Sequence, residues 1–491
     1  MADRSAQGMP PPPLMSDDTN TSSESSSFSS SFPHVPGETL FLPFYNESLW
    51  EKVRNSLLPF PKDLDELTKA MQAYIPGISQ LRGLQAAIDG VGGGPACENF
   101  FTETLPDIIQ SALKLQEVMK SCNIDRIPLL KDIKTTTSAV FKVVLPRVLV
   151  RSLMANMFLC TFQEQRGMEE PMPTCTFQVL LRNTSVQECA KLRMFIHYFE
   201  RTKSGHVPGC VTIIRQKIYL DGMILENSNK PLLGISVAPA GVGFEDDDNG
   251  KDCLHADFAN MYIGGGVLTG GCVQEEIRFS ICPELIISCL TCSVLNLGEA
   301  IQILGAEQVG YFIKYSQESY KLLFQFSSYS GYGFGLRFAG PFVDNQRQAD
   351  DGTILRGIFA MDAYDGRRRD FNIREAMMLR EINKAAAGFS LMDDSVKQFS
   401  VLATGNWGCG VFGGFAPLKA LLQWLASSHV GVCIRYFPYN EDFGPALQKL
   451  SATLTSRRCT VGDLWKGLGR LSKRMSLKGD GAVMERMGTS G

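Results

Sequence analysis

Two adjacent carboxylates, Glu275 and Glu276, follow Gln274, which seven residues separate from a glycine triplet, Gly264-Gly265-Gly266. Carboxylic acids can donate a proton, accept one, or stabilise positive charge that develops beside them. Upstream, Asp257-Phe-Ala-Asn260 adds another acid and an amide, and Gly270 and Gly271 make five glycines in the stretch. Glycine tolerates φ > 0 and lets backbone N–H groups converge, so Gly264 to Gly266 can form a concave donor surface with the glutamates at its lip. Taken singly, each piece has a plainer reading: a glycine triplet is also a turn, and Glu-Glu opening an apolar run suits the positive end of a helix. Neighbouring side chains diverge by about 100° on a helix and about 180° on a strand. The two glutamates are therefore not expected to converge on one atom as the acids of an ordinary glycosidase do.

A second constellation lies some way downstream. The apolar run Phe399 to Thr404 ends in Gly405-Asn406-Trp407-Gly408-Cys409-Gly410-Val411-Phe412-Gly413-Gly414 and leads into an apolar helix from Pro417. A strand, a glycine loop and a helix N-terminus in series present free N–H groups and a positive dipole end, which is what a diphosphate requires. Two aromatic segments, Tyr329-Ser-Gly-Tyr332 and Tyr436-Phe-Pro-Tyr439, carry Tyr332 and Tyr439, each of which could be a rim or core residue.

Together, the D-F-A-N segment, the glycine triplet and the Q-E-E that follows it resemble the signature of the poly(ADP-ribose) glycohydrolase family. The loop Asn406 to Gly414 resembles that family's diphosphate-binding loop. The resemblance implies hydrolysis of ribose–ribose O-glycosidic bonds in poly(ADP-ribose), with release of ADP-ribose and no cofactor. Glu276 matches the acid/base and Glu275 with Asn260 the groups that fix the ribose hydroxyls, while Gln274 and Asp257 support the loop. Gly264, Gly265 and Gly266 line the site; Asn406, Gly408, Cys409, Gly410 and Val411 match the diphosphate loop, and Phe412 the aromatic packed on the distal ribose. Tyr332 matches a tyrosine lying over the nucleotide, and Tyr439 stands where the family stacks a phenylalanine on adenine. Two departures bear on activity. Phe415 replaces the family's Asp and removes a possible helix cap, and residues 309–325 look like an aromatic-rich insertion beside the nucleotide site, able to displace Tyr332. An alternative reading follows: a module that binds ADP-ribose or poly(ADP-ribose) with weak or no turnover.

Apolar patterning indicates the elements that hold these loops. Residues 1–37 are rich in Pro, Ser and Asp and read as a disordered tail. Residues 38–209 carry apolar residues at spacings of three and four, as in Asp63 to Tyr74 and Pro106 to Met119, and read as a helical accessory domain. Its glycine triplet, Gly92 to Gly94, has no carboxylate pair behind it and reads as a loop. Residues 210–456 alternate strand and helix. Strands are expected over Val211–Tyr219, Leu233–Val237, Leu254–Phe258, Gly298–Leu304, Gly335–Phe338, Ile354–Met361, Phe399–Thr404 and Val430–Phe437. Helices are expected over Glu275–Val294, Asn372–Ala386, Pro417–Ala426 and Phe443–Leu454. This α/β pattern predicts a mixed sheet flanked by helices with ligands beyond the strand C-termini, and the resemblance implies a macrodomain-like fold. Residues 457–491 read as a basic tail, either a solvated terminal helix or a patch for nuclear targeting or anionic surfaces.

With 491 residues the chain exceeds one ordinary core and suggests two folded units plus tails. A net charge of -3 provides no field for gripping double-stranded nucleic acid. The longest apolar run, Ala139 to Phe162, is broken by Lys142, Arg147 and Arg151 and reads as a buried helix in a protein without membrane contact. The fourteen cysteines suit reduced intracellular thiols. Cys289 and Cys292 lack a second pair at zinc spacing and read as core, so no metal is expected. No G-x-x-x-x-G-K-[ST] is present, which removes a phosphotransferase reading. The expected setting is that of a monomer acting on poly(ADP-ribose) and poly(ADP-ribosyl)ated proteins in nucleus and cytoplasm, in the DNA damage response.

Overall fold

The longest apolar run of the N-terminal half divides at Pro146. Ala139–Pro146 forms strand β1 and Arg147–Phe158 a helix, in place of the single helix expected through Phe162. A short apolar run satisfies either geometry; Pro146, which has no N–H to give a ladder, ends the strand and opens the helix. The computed structural model describes residues 39–476 apart from 163–169, 204–206, 240–241, 243–252, 316–321, 327–335, 367–373 and 439–441. The expected N-terminal tail and the last residues of the expected basic tail therefore lie outside the described residues.

Ten further strands follow: β2 (Cys210–Lys217), β3 (Ile235–Val237), β4 (Cys253–Asp257), β5 (Glu299–Gly305), β6 (Gly310–Tyr315), β7 (Leu322–Phe326), β8 (Leu336–Pro341), β9 (Ile354–Ala360), β10 (Val401–Gly405) and β11 (Cys433–Phe437). Eight of the strands form one mixed sheet in the order β1-β2-β5-β9-β4-β10-β11-β3. Its β9-β4-β10-β11-β3 part is parallel, while β1, β2, β5 and β9 pair antiparallel. Alternation buries both faces. Ile213, Ile301 and Ile303 face one apolar cluster; Ile214, Ala300 and Leu304 face the other.

The first cluster spans the expected boundary at 209/210. It runs without a break from Trp50, Leu84 and Phe158 through Phe195 into Ile263, Phe279 and Ile301, and β1 pairs with β2 along its length, Ala139 against Lys217 to Pro146 against Cys210. The helical region thus shares core and sheet with the α/β region. Its glycine triplet is a docking point rather than a free loop: Gly92 O accepts from Phe338 N at 2.7 Å and Val91 O from Arg337 Nη1 at 2.5 Å.

Residues 309–325, read as an insertion, contribute two strands. β6 lies between β7 and β8 in a separate antiparallel sheet. The expected helix Glu275–Val294 is three shorter pieces, Gln274–Ile281, a 3₁₀ turn Pro283–Ile287, and Ser288–Thr291, because Pro283 cannot continue an i→i−4 ladder. The expected C-terminal tail instead begins with a helix, Val461–Ser476, that buries Val461, Leu464, Trp465 and Leu468 and leaves Lys466, Arg470 and Lys473 exposed. Its apolar residues recur at helical spacing, so it belongs to the core. No helix among the described residues is long and apolar enough to cross a membrane.

Candidate active site

The parallel strands bring the two glycine loops to one edge. Ala360 of β9 is level with Asp257 of β4, Ala403 of β10 pairs with His255, and Gly405 is level with Phe437 of β11. The chain therefore leaves the sheet four times at the same height, beyond the strand C-termini. Two of these exits are loops 258–273 and 406–415. Their roots are close: a methyl group built on Gly405, the last residue of β10, would stand 3.8 Å from Phe258 Cζ.

The first turn of the helix Gln274–Ile281 fastens the first loop. Gln274 accepts from Phe258 N at 2.7 Å and donates to Ala256 O at 2.9 Å. The Glu275 carboxylate accepts from Asn260 N at 2.8 Å and Gly264 N at 2.7 Å. Glu276 Oε1 accepts from Gly266 N and Oε2 from Val273 N, each at 2.8 Å. The donors of Gly264 and Gly266 are thus already used by the glutamates, and the loop is not the open donor surface expected of it. What glycine supplies is room. Gly265 has φ +49°, and a methyl group there would stand 2.5 Å from Glu276 Oε1 and 2.6 Å from Glu275 Oε2. The adjacent glutamates therefore converge, against expectation: their Cβ atoms diverge, but both side chains curl back over the same turn.

Behind them Asp257 is fully buried, and neither of its oxygens has a hydrogen-bond partner among the described residues. Burial pushes its pKa up to about 8, with Arg278 opposing and Glu276 adding to the rise. Burial, then Asp257 and Glu276, hold Glu275 well above the usual carboxylate range. A carboxyl whose folded pKa is raised stabilises the fold below its unfolded pKa of about 3.9, and that contribution is lost as pH climbs through about 8. Asp257→Asn, which mimics the protonated acid, is expected to lose less stability than the wild type between pH 5 and pH 9. Urea midpoints at the two pH values measure this, and parallel falls in both proteins would refute it.

One further residue of the site escaped the sequence reading. Lys191, fully buried on the helix Val186–Arg201, donates to the carbonyl oxygens of Thr269 and Gly271 at 2.5 Å each and Gly266 at 3.2 Å. Burial lowers its pKa to about 8, with Cys272, Glu276 and Glu188 working against the fall. The helical region thus ties down the glycine loop. The only trace in the sequence is a lysine set among Cys189, Ala190, Leu192 and Met194. Lys191→Met would strand the carbonyls of Thr269 and Gly271, while Gly266 O keeps the N–H groups of those two residues, at a cost of about 1–3 kcal/mol, read as a lower melting temperature with faster amide exchange over 264–273. Unchanged exchange there would contradict the tie.

The second loop is built the opposite way. Gly413 N donates to Gly410 O at 3.0 Å, Gly414 N to Gly408 O at 2.9 Å and Cys409 N to Asn406 O at 3.1 Å. The N–H groups of Gly410, Val411 and Phe412 donate to none of the described residues, and Val411 is 54% exposed. Three consecutive donors without a partner among the described residues stand before the helix Ala416–Val430, the kind of backbone segment that can receive an anion. Asn406 serves the scaffold: its Nδ2 donates to Pro438 O at 2.8 Å and its Oδ1 accepts from Tyr436 OH at 3.0 Å. Phe415 begins the helix without a side-chain cap. Phe412 is half-buried against the second apolar cluster. Tyr332 and Tyr439 lie outside the described residues.

The C-x-x-C pair is core. Cys289 donates to Ile263 O at 3.3 Å beneath the glycine turn, and none of the fourteen cysteines is in a disulfide. Among the described residues no cluster of His, Cys, Asp and Glu could hold a metal ion.

Comparison with known proteins finds the poly(ADP-ribose) glycohydrolase helical domain over residues 94–215 and the same family's macro domain fold over 224–324 and 323–443. The chain belongs to the poly(ADP-ribose) glycohydrolase family. The two macro-domain pieces meet inside the 309–325 segment. Among glycohydrolase relatives, poly(ADP-ribose) glycohydrolase 1 of Arabidopsis thaliana is 31% identical over 396 residues, covering 66% of this chain and 68% of its own. Probable poly(ADP-ribose) glycohydrolase 2 of the same plant is 30% identical over 444 residues, covering 77% and 80%. The crystal structure of poly(ADP-ribose) glycohydrolase from Deinococcus radiodurans in complex with ADP-ribose aligns at 16% identity over 48% of this chain and 92% of that one, with a TM-score of 0.26.

Proposed function

We propose that Glu276 is the acid/base with which this poly(ADP-ribose) glycohydrolase cleaves the ribose–ribose O-glycosidic bond and releases ADP-ribose. One observation carries the reading: the paired glutamates fasten one loop, the three free N–H groups of Gly410, Val411 and Phe412 belong to another, and both loops leave the same sheet edge. An ADP-ribose unit fits across them with its diphosphate on the amides and its distal ribose toward Glu276. Protonated Glu276 gives its proton to the departing ribose oxygen as the C–O bond breaks and an oxocarbenium-like sugar forms; its carboxylate then takes a proton from the water that attacks the same carbon. Each Glu276 oxygen uses one lone pair on a backbone N–H and keeps another for this transfer.

In the same reading Glu275 and Asn260 orient the ribose hydroxyls, Gln274 and Asp257 hold the loop, and Phe412 packs on the distal ribose. Tyr332 and Tyr439 are assigned nucleotide contacts by resemblance alone. The substrate is poly(ADP-ribose) on modified proteins, handled by a monomer in nucleus and cytoplasm during the DNA damage response, without cofactor, metal, double-stranded nucleic acid or membrane. The uncapped helix start at Phe415 favours a second reading, binding with little turnover. Incubating the full chain with poly(ADP-ribose) and following free ADP-ribose separates the two. Release proportional to protein concentration supports hydrolysis; intact polymer together with measurable ADP-ribose binding supports the second reading.

A further inference from the structure

Beneath the second glycine loop lies a chain of buried charges that the reaction as described does not use. Lys384 and Arg380 both pair with Asp362, Arg380 also pairs with Glu381 at 2.5 Å, and Glu381 pairs with Lys419. All five side chains are 13% exposed or less. Arg380 and Glu381 project from the helix Glu375–Phe389 and Lys419 from the first turns of the helix Ala416–Val430. Asp362 follows β9 directly, so the cluster stands under the edge from which the loops leave.

Lys419 is the member that reaches the loop. Its ammonium lies 4.3 Å from the centre of the Trp407 ring. A methyl group on Gly408 would meet Lys419 Nζ at 3.1 Å, and one on Gly414 would meet its Cε at 3.1 Å. Trp407 Nε1 in turn donates to Met361 O at 2.9 Å, and Glu381 accepts from Tyr364 N at 3.0 Å. Three cations face two carboxylates, so with every group ionised the cluster carries one uncompensated positive charge, and Lys419 carries it against Gly408 and Gly414, which flank the free N–H groups of Gly410 to Phe412 in the chain. A buried surplus charge is costly unless an anion comes close.

We propose that this cluster, with Lys419 as its positioning residue, is the counter-charge that sets the affinity of the second loop for the diphosphate. The inference rests on the ADP-ribose site proposed above and adds a charge dependence that reading does not contain. Burial and then Arg380 hold Lys419 well below the ordinary ammonium range, with Asp362 working against the fall. An incoming diphosphate stabilises the charged form of Lys419 and offsets part of the cost of burying it.

The test is a charge ladder, read by calorimetric titration of the full chain with ADP-ribose. Lys419→Met brings the cluster to zero and is expected to weaken ADP-ribose by about tenfold. Glu381→Gln raises it to two positive charges and is expected to tighten binding, while the double variant restores one positive charge and lies near the wild type. Disturbed packing would weaken all three, so weaker binding by Glu381→Gln overturns the proposal, even if Lys419→Met fails to fold. Identical affinities across the ladder overturn it as well. A wild-type protein that does not bind ADP-ribose overturns the site itself, whereas normal wild-type binding without the ladder leaves the site standing and removes only the role of the charge.

Discussion

Replacing Glu276 by Gln is expected to lower ADP-ribose release from poly(ADP-ribose) by about 10²–10⁴-fold, the range of a lost general acid/base, while ADP-ribose still binds. The substitution is not silent structurally. The carboxylate accepts from Gly266 N with one oxygen and Val273 N with the other, and an amide can replace only one of those acceptors, setting its NH₂ against the other donor. A cost of about 1–3 kcal/mol in stability should accompany the change. Binding discriminates the two effects. If turnover and ADP-ribose affinity fall together in a protein that melts as a folded chain, Glu276 holds the loop and the proton transfer belongs to another group. If turnover alone collapses, the transfer is its own.

Gly265→Ala should be nearly as damaging, although it alters no chemical group. The new methyl would stand 2.5 Å from Glu276 Oε1 and 2.6 Å from Glu275 Oε2, well inside van der Waals contact, so both carboxylates must swing away from their backbone donors. The backbone at φ +49° adds a smaller penalty for a residue with a Cβ. Misplacing a catalytic group by about 1 Å costs about 10²-fold, and a loss of at least that order is expected in kcat with a melting temperature a few degrees lower. Near-normal kcat in the alanine variant would show that the turn can open without moving Glu276 and would remove the steric argument for the triplet.

The elements differ in how readable they were. β4, β9 and β10 stand within two residues of their expected bounds, because a fully buried parallel strand is a short apolar run closed by turn residues, and that signal is local. β1 was misread as helix because the same local signal is shared by a buried helix; only pairing with β2 distinguishes them. β6 and β7 were missed inside a segment judged an insertion, since their partner β8 lies beyond it in the chain. The helix Val461–Ser476 was taken for tail because its basic residues dominate composition while its buried side is four residues wide.

The candidate site divides along the same line. Residue types and spacing were enough to single out Gln274, Glu275, Glu276 and both glycine loops, since positive φ, bare N–H groups and paired acids are properties of short contiguous segments. Which donors remain free was decided only by the fold: those of Gly264 and Gly266 are taken by the glutamates, while those of Gly410 to Phe412 are open. The grip of Lys191 on the first loop and the charges gathered under the second come from residues far apart along the chain, made neighbours by a sheet and a shared core. Local chemistry can be read from contiguous residues; convergence cannot, because it depends on which distant segments the hydrophobic core brings into contact.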